Sequence, residues 1–173
     1  MESDLEYLQK RVAALTALQS IAQELMTELN LEQLLHRILR AAVDVLDGSE
    51  GSVLIWVPSD ELVFAVAKNA RLVGHRMPAD RGIAGWVFSH CEPLIVGDVS
   101  QDRRFFPEVD QYLGFETQSL IAVPLMTPTE KLGVVQVLNK QSGEQFDDQD
   151  LDILSALGAQ AAIMFVNARL YQE

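Results

Sequence analysis

The chain has 173 residues, enough for one domain with appended helices and a core of its own. With 49% apolar and 22% charged residues, its composition excludes disordered and fibrous classes. A net charge of −12 repels a phosphate backbone, so no nucleic-acid partner is expected, and the single cysteine, Cys91, excludes an intrachain disulfide and a cysteine-cluster metal site. The N-terminus lacks a basic-then-apolar leader and no apolar run approaches the roughly 20 residues that cross a bilayer, so a cytoplasmic protein without membrane insertion is expected.

In chain order, residues 2–47 read as helical. Leu5, Leu8, Val12 and Leu15 recur at spacings of three and four, the seam of a coiled coil; Gln19 breaks that register, and Leu18, Ile21, Leu25 and Leu29 take up a shifted stripe. A second helix follows, with Asn30 as N-cap and Gly48 as its end. "GSVLIWVP" then reads as a strand covered on both faces, turning at Ser59 and Asp60 into "ELVFAVAK". "SLIAVPLM" and "KLGVVQVLNK" form a second hairpin across "TPTE", in which Pro124 must sit at a bulge or with its missing donor facing outward. From Asp147 the chain is helical to its end, with one stripe at Leu151, Leu154, Gly158, Ala161, Phe165 and Ala168 and a neighbouring face at Ile153, Leu157 and Met164. Two apolar faces need two partners, the sheet and either the N-terminal helix or a second subunit.

Between the hairpins stands "DRGIAGWV". Gly82 and Gly85 before an apolar helix suit either an anion held on free backbone N–H groups or a turn with close helix packing. Between Lys68 and Arg104 six basic residues (Lys68, Arg71, Arg76, Arg81, Arg103, Arg104) meet four acidic ones (Asp80, Glu92, Asp98, Asp102), a local +2 that leaves −14 for the rest. That local charge fits an anionic ligand, although solvated surface arginines are the commoner source of such a balance.

The ordered set "PADRGIAGWVFSHCEPLIVGDVSQDRRF", "GFETQSLIAVPL", "KLGVVQVLNK" and "FDDQDLDILSALGAQAAI", after two helices and a hairpin, resembles a GAF domain from about Leu31 to Phe165. The resemblance implies an α+β fold: a central antiparallel sheet with the N- and C-terminal helices packed on one face and a pocket of loops and short helices on the other. It implies three parts, an N-terminal signalling and dimerisation helix over 1–30, the GAF domain over 31–166, and the end of a connector helix over 167–173. Asn139, Lys140, Phe146 and Asp150 match the Asn-Lys and Phe-x-x-x-Asp-Glu motif of members that bind cyclic nucleotides in phosphodiesterases and adenylyl cyclases, with Leu151 in place of the final Glu. In that family the Lys and Asp form a structural ion pair.

By the same resemblance Ser52, Ile83, Ala84, Asp110 and Thr117 fall where those members contact their ligand, with Ile83 and Ala84 offering backbone N–H groups to a phosphate. Ala67 and Lys68 stand at the aromatic-acidic pair that recognises the base, Leu113 at the family's Thr and Gln136 at its Glu. Ala67 cannot stack on a purine and Lys68 cannot accept from a guanine edge. A cyclic nucleotide, another small molecule and no ligand at all therefore remain as three readings.

No haem, bilin or metal is expected. Bilin-binding relatives have a Cys followed by His, whereas Cys91 is preceded by His90; His36, His75 and His90 are scattered; and the reduction of free methionine sulfoxide by GAF-like enzymes relies on more than one thiol. Asp98, Asp102, Glu108 and Asp110 lie near the implied pocket, but no nucleophile elbow, Walker loop or HExxH is present, so the chain is not expected to be an enzyme. The resulting expectation is a regulatory small-molecule sensor, homodimeric through its terminal helices, and a piece of a longer signalling protein whose output domain is a histidine kinase, a diguanylate cyclase or another effector. The alternative is a ligand-free dimerisation module in which Trp86, Phe105, Phe106, Tyr112 and Phe115 fill the pocket.

Overall fold

The computed structural model describes residues 2–25 and 30–172; Leu29 of the shifted stripe lies outside them, and Ile21 and Leu25 are described in backbone only. The helices α1 (Glu2–Leu25) and α2 (Leu31–Leu46) lead into strands β1 (Gly48–Val57) and β2 (Glu61–Ala67). Then come β3 (Arg76–Pro78), α3 (Gly82–His90), β4 (Leu94–Val96), the short α4 (Glu108–Leu113), β5 (Leu120–Met126), β6 (Lys131–Lys140) and α5 (Asp148–Gln172). The strands form an antiparallel sheet of six in the order β3-β2-β1-β6-β5-β4.

Local chemistry sets the element ends. The Asn30 side chain accepts from the N–H groups of Glu32 and Gln33, a cap worth about 1 kcal/mol. At the other end α2 stops one residue before the expected Gly48: Asp47 takes the left-handed conformation (φ 56°), and Gly48 is already the first residue of β1. There a Cβ would collide with the Val137 side chain on β6, so the glycine serves strand packing and the aspartate supplies the turn. Pro124 pairs with Val134, while β4 reaches only to Ala122 on the other side. The proline thus lies where β5 has no second neighbour, a position that tolerates a missing donor.

Alternation along the strands divides the apolar residues between two cores. On one face Val53, Val66, Ile121, Val135 and Val137 meet Leu34, Ile38 and Leu46 of α2 and Ile153, Leu154, Leu157 and Phe165 of α5. Residues buried as completely as Leu34 or Leu154 each stabilise this face by about 1.5–3 kcal/mol. On the other face Leu54, Phe64, Leu120, Ala122 and Val134 meet Ile83, Val87 and Phe88 of α3. The two faces of α5 find their partners within the chain, in the sheet and in α1 and α2. By length and composition alone α5 is also apolar enough to cross a membrane, a test that a core helix passes equally.

Helix α1 has two apolar sides. Tyr7, Ala14 and Leu18 pack on the domain, whereas Leu5, Leu8, Val12 and Leu15 are 49–61% exposed on a neighbouring side, roughly 120° round the helix. Ile163 and Leu170 of α5 are exposed as well.

Candidate functional site

A cavity of about 50 Å³ lies between the second face of the sheet and the segments that cover it. Phe64 of β2 with Gln136 and Leu138 of β6 form its floor; Ile83 and Ala84 of α3 and Asp110 of α4 form its walls; Phe105 and Phe106 line it as well. The "DRGIAGWV" stretch enters α3 here. Gly82 takes φ +73°, which a side chain rarely adopts, and at Gly85 a Cβ would lie 2.9 Å from the Ala79 carbonyl oxygen. The first glycine makes the turn, and the second lets the helix fold back against the chain that precedes it. No side chain caps this helix N-terminus.

The polar groups at the cavity are engaged with one another. Thr117 donates to Asp110 from its backbone N–H and from Oγ1, both at 2.7 Å, and Gln136 Nε2 donates to Ser52 Oγ at 3.0 Å. Among the described residues no buried side-chain nitrogen or oxygen lacks a partner. At about 50 Å³ the cavity holds water-sized occupants; small-molecule sites usually begin near 300 Å³.

The fold thus gathers Ser52, Ile83, Ala84, Asp110, Thr117 and Gln136. Ala67 sits beside Ser52 in register, and Leu113 is half-buried against the same core. Lys68 lies elsewhere: with Ala67 it borders a cleft of about 690 Å³ beside α2, and its Nζ donates to the Ser49 carbonyl at 3.1 Å. Of the five aromatics that could fill a pocket, Phe105 and Phe106 line the cavity and Phe115 packs nearby. Trp86 faces an outer cleft, stacked on His90 at 4.2 Å with the Arg104 guanidinium 4.8 Å from its ring. Tyr112 is exposed and clasped, its ring stacked on His75 at 5.2 Å and its carbonyl accepting from Arg71 at 3.3 Å.

Four of the remaining candidates, Asp98, His90, Cys91 and Asp102, have structural roles. Asp98 accepts from Ser100 N and Oγ; His90 Nδ1 lies 2.9 Å from the Trp86 carbonyl; Cys91 closes α3 in the left-handed conformation. Asp102 accepts from Arg104 Nη2 at 2.6 Å and Nε at 2.9 Å. The side-chain hydrogen bond from Arg104 holds the Asp102 carboxyl below the usual carboxylate range and raises the Arg104 guanidinium above its own. Among the described residues no three His, Cys, Asp or Glu side chains are grouped to hold a metal.

The four motif residues stand at the end of β6 and the start of α5. Asn139, in the left-handed conformation (φ 51°), accepts from the N–H groups of Gln118 and Ser119 through Oδ1 and donates to the Glu116 carbonyl through Nδ2. Its neighbour Lys140 donates to Asp150 Oδ2 at 2.7 Å, with 6% and 1% of the two side chains exposed. Asp150 also accepts from the Asp147 N–H at 3.0 Å and lies 3.8 Å from Nζ of Lys10 on α1. Phe146 is buried with the Lys140 ammonium 5.7 Å from its ring.

The family model for the GAF domain matches residues 30–165. The chain belongs to the GAF domain family. Its relatives include the dual 3',5'-cyclic-AMP and -GMP phosphodiesterase 11A of Takifugu rubripes, 37% identical over 98 residues, which are 56% of this chain and 11% of the phosphodiesterase. The cone cGMP-specific 3',5'-cyclic phosphodiesterase subunit alpha' of Mus musculus is 38% identical over 78 residues, 45% of this chain and 9% of that protein. The chain therefore spans only a small part of these relatives' length. Among solved structures, the GAF domain of a Coxiella burnetii phosphoenolpyruvate-protein phosphotransferase superposes with a TM-score of 0.78 at 23% identity, covering 94% of this chain and 98% of that one. A free methionine-R-sulfoxide reductase from Neisseria meningitidis superposes with a TM-score of 0.75 at 21% identity, covering 94% and 93%. At these identities the likeness to solved structures is one of fold. A GAF domain is a regulatory signalling module, and the α+β arrangement expected of it, terminal helices on one face and a loop-built pocket on the other, is the one observed.

Several lining residues escape the sequence reading. Met77 stands on a three-residue strand too short to show periodicity, Val109 on a helix of under two turns, and Phe64 looks like any inward residue of β2. The Asp110–Thr117 pair spans an irregular loop, and neither residue advertises the other.

Proposed function

We propose that this chain is a cytoplasmic regulatory module without catalysis of its own, that it dimerises with a second copy through its terminal helices, and that changes at the cavity pass through those helices to a fused output domain such as a histidine kinase or cyclase. In this reading residues 1–30 are the dimerisation helix, 31–166 the sensing domain and 167–173 the end of the connector helix. The observation that carries it is the two-sided α1. One side holds the helix to its own domain, and the other offers Leu5, Leu8, Val12 and Leu15 in coiled-coil spacing to a partner of the same kind. A ligand then biases output only by its difference in affinity between two helix packings.

Sedimentation equilibrium at micromolar concentration tests the dimer. Wild type is expected to be dimeric and Leu8→Glu/Val12→Glu monomeric yet still folded, with its far-ultraviolet circular dichroism kept, because both side chains are exposed on the single chain. A monomeric wild type, or a dimer indifferent to both charges, sinks this reading.

The small size of the cavity and the mutual engagement of its polar groups support a second reading, a dimerisation module that takes no ligand. The phosphodiesterase relatives make cyclic AMP and cyclic GMP the first molecules to titrate. Ala67 and Lys68 at the base-recognition positions argue for no saturable heat with either. Saturable heat abolished by Thr117→Ala would establish a cyclic-nucleotide sensor instead.

A further inference from the structure

We propose that Asn139 and Lys140 form a joint that carries the state of the cavity wall to α1, with Lys10 as the receiving residue. The inference rests on the regulatory reading above and assigns it a physical route within one chain.

On the cavity side, Asp110 holds Thr117 by two bonds of 2.7 Å, and Thr117 belongs to the irregular stretch that enters β5. Three bonds fix that stretch to the Asn139 side chain, at Glu116 (2.9 Å), Gln118 (2.7 Å) and Ser119 (3.1 Å). On α4, Val109 and Leu113 are partly buried against the second core, Tyr112 is clasped by His75 and Arg71, and Asp110 binds Thr117. Of these contacts the Asp110–Thr117 pair is the one that ties α4 to the 116–119 stretch by side-chain hydrogen bonds.

On the helix side, the next residue along, Lys140, reaches Asp150 at the start of α5, and the same carboxylate meets Lys10 of α1 through its other oxygen. The Asp150 side chain is 1% exposed, so its charge interactions are little screened and respond to small displacements of either lysine. Among the described residues Asn139 is one of four non-glycine residues with positive φ, a conformation asparagine tolerates. A physical connection becomes coupling only if perturbing one end changes the other, and a double-mutant cycle measures that.

The experiment is hydrogen–deuterium exchange of the full chain, read over 116–119 and over 7–18 of α1. Asp110→Ala is expected to speed exchange about tenfold in both stretches, the equivalent of one lost charge-assisted hydrogen bond. In an Asn139→Gly background, which keeps the backbone conformation and removes the three bonds, Asp110→Ala should still act on 116–119 but no longer on α1. Val87→Ala serves as control for general loosening, since it weakens the cavity face without touching the network and should leave α1 unchanged. Unaltered α1 exchange in Asp110→Ala, equal acceleration by Val87→Ala, or full transmission in the Asn139→Gly background would each overturn the joint. Because residues 7–18 also carry the proposed dimer contact, all variants are compared at one concentration after sedimentation has shown them to share one oligomeric state; a failed relay in a proven dimer then refutes this inference alone, and a monomer with an intact relay refutes only the dimer.

Discussion

Lys140→Met tests the energetics of the motif directly. The substitution leaves the Asp150 carboxylate in place, 1% exposed, with the Asp147 N–H at 3.0 Å and the partly exposed Lys10 at 3.8 Å as its remaining partners. Breaking a buried ion pair from one side typically costs about 3–5 kcal/mol, because the orphaned charge cannot return to water. Two residual partners place the expectation at the lower end, about 3 kcal/mol, or about 6–12 °C in Tm for a chain of this size. Lys140→Met/Asp150→Leu removes the orphan as well and forfeits mainly the bond from Asp147, so it should lie within about 1 kcal/mol of wild type. Urea unfolding followed by far-ultraviolet circular dichroism supplies the comparison, with an unchanged m-value as the sign that the unfolded state is not responsible. A single variant within about 1 kcal/mol of wild type, or a double variant as unstable as the single one, would refute the reasoning from burial.

Two further outcomes follow from the cavity and its rim. Asp110→Ala strands the N–H and hydroxyl of Thr117, which is 5% exposed, and should cost about 1–3 kcal/mol in urea unfolding, with a loss under about 0.5 kcal/mol counting against the pairing. The Asp102 carboxyl is depressed by Arg104, so its contribution to stability is complete above the ordinary carboxylate range and disappears as pH falls through the folded value. Wild type should therefore exceed Asp102→Asn by a constant margin from pH 7 to about 5, and the margin should shrink below about pH 4; a margin that widens on acidification would contradict the pairing.

The sheet and helices were legible because each is long enough to show its period. β1, β2, β5 and β6 carry uninterrupted apolar or alternating runs, and α2 and α5 show stripes bounded by Asn30 and by acidic first turns. What stayed hidden was of two kinds. Three-residue strands such as β3 and β4 have no period to read, and their place is set by the ladders they complete. The pairing of Ser52 with Gln136, 84 residues apart, and the route of Lys68 away from the cavity depend on strand register and on the turn after β2, which spacing alone does not specify. The end of α2 illustrates a smaller version of the same limit. Glycine is the usual helix stop, but here packing against Val137 claimed Gly48 for the strand, and Asp47 took the turn.

The two short strands at the margins of the sheet have a bearing on how copies of this protein can associate. The outermost strands offer only three residues of ladder each, β3 carries Arg76 and Pro78 at its two ends, and where β5 runs on past β4 it carries Pro124. Such margins give a neighbouring chain too few free backbone groups, and the wrong side chains, to extend the sheet. Accretion by strand addition, the usual hazard of an open antiparallel sheet, is thereby closed off, and self-recognition is left to surfaces built from helices.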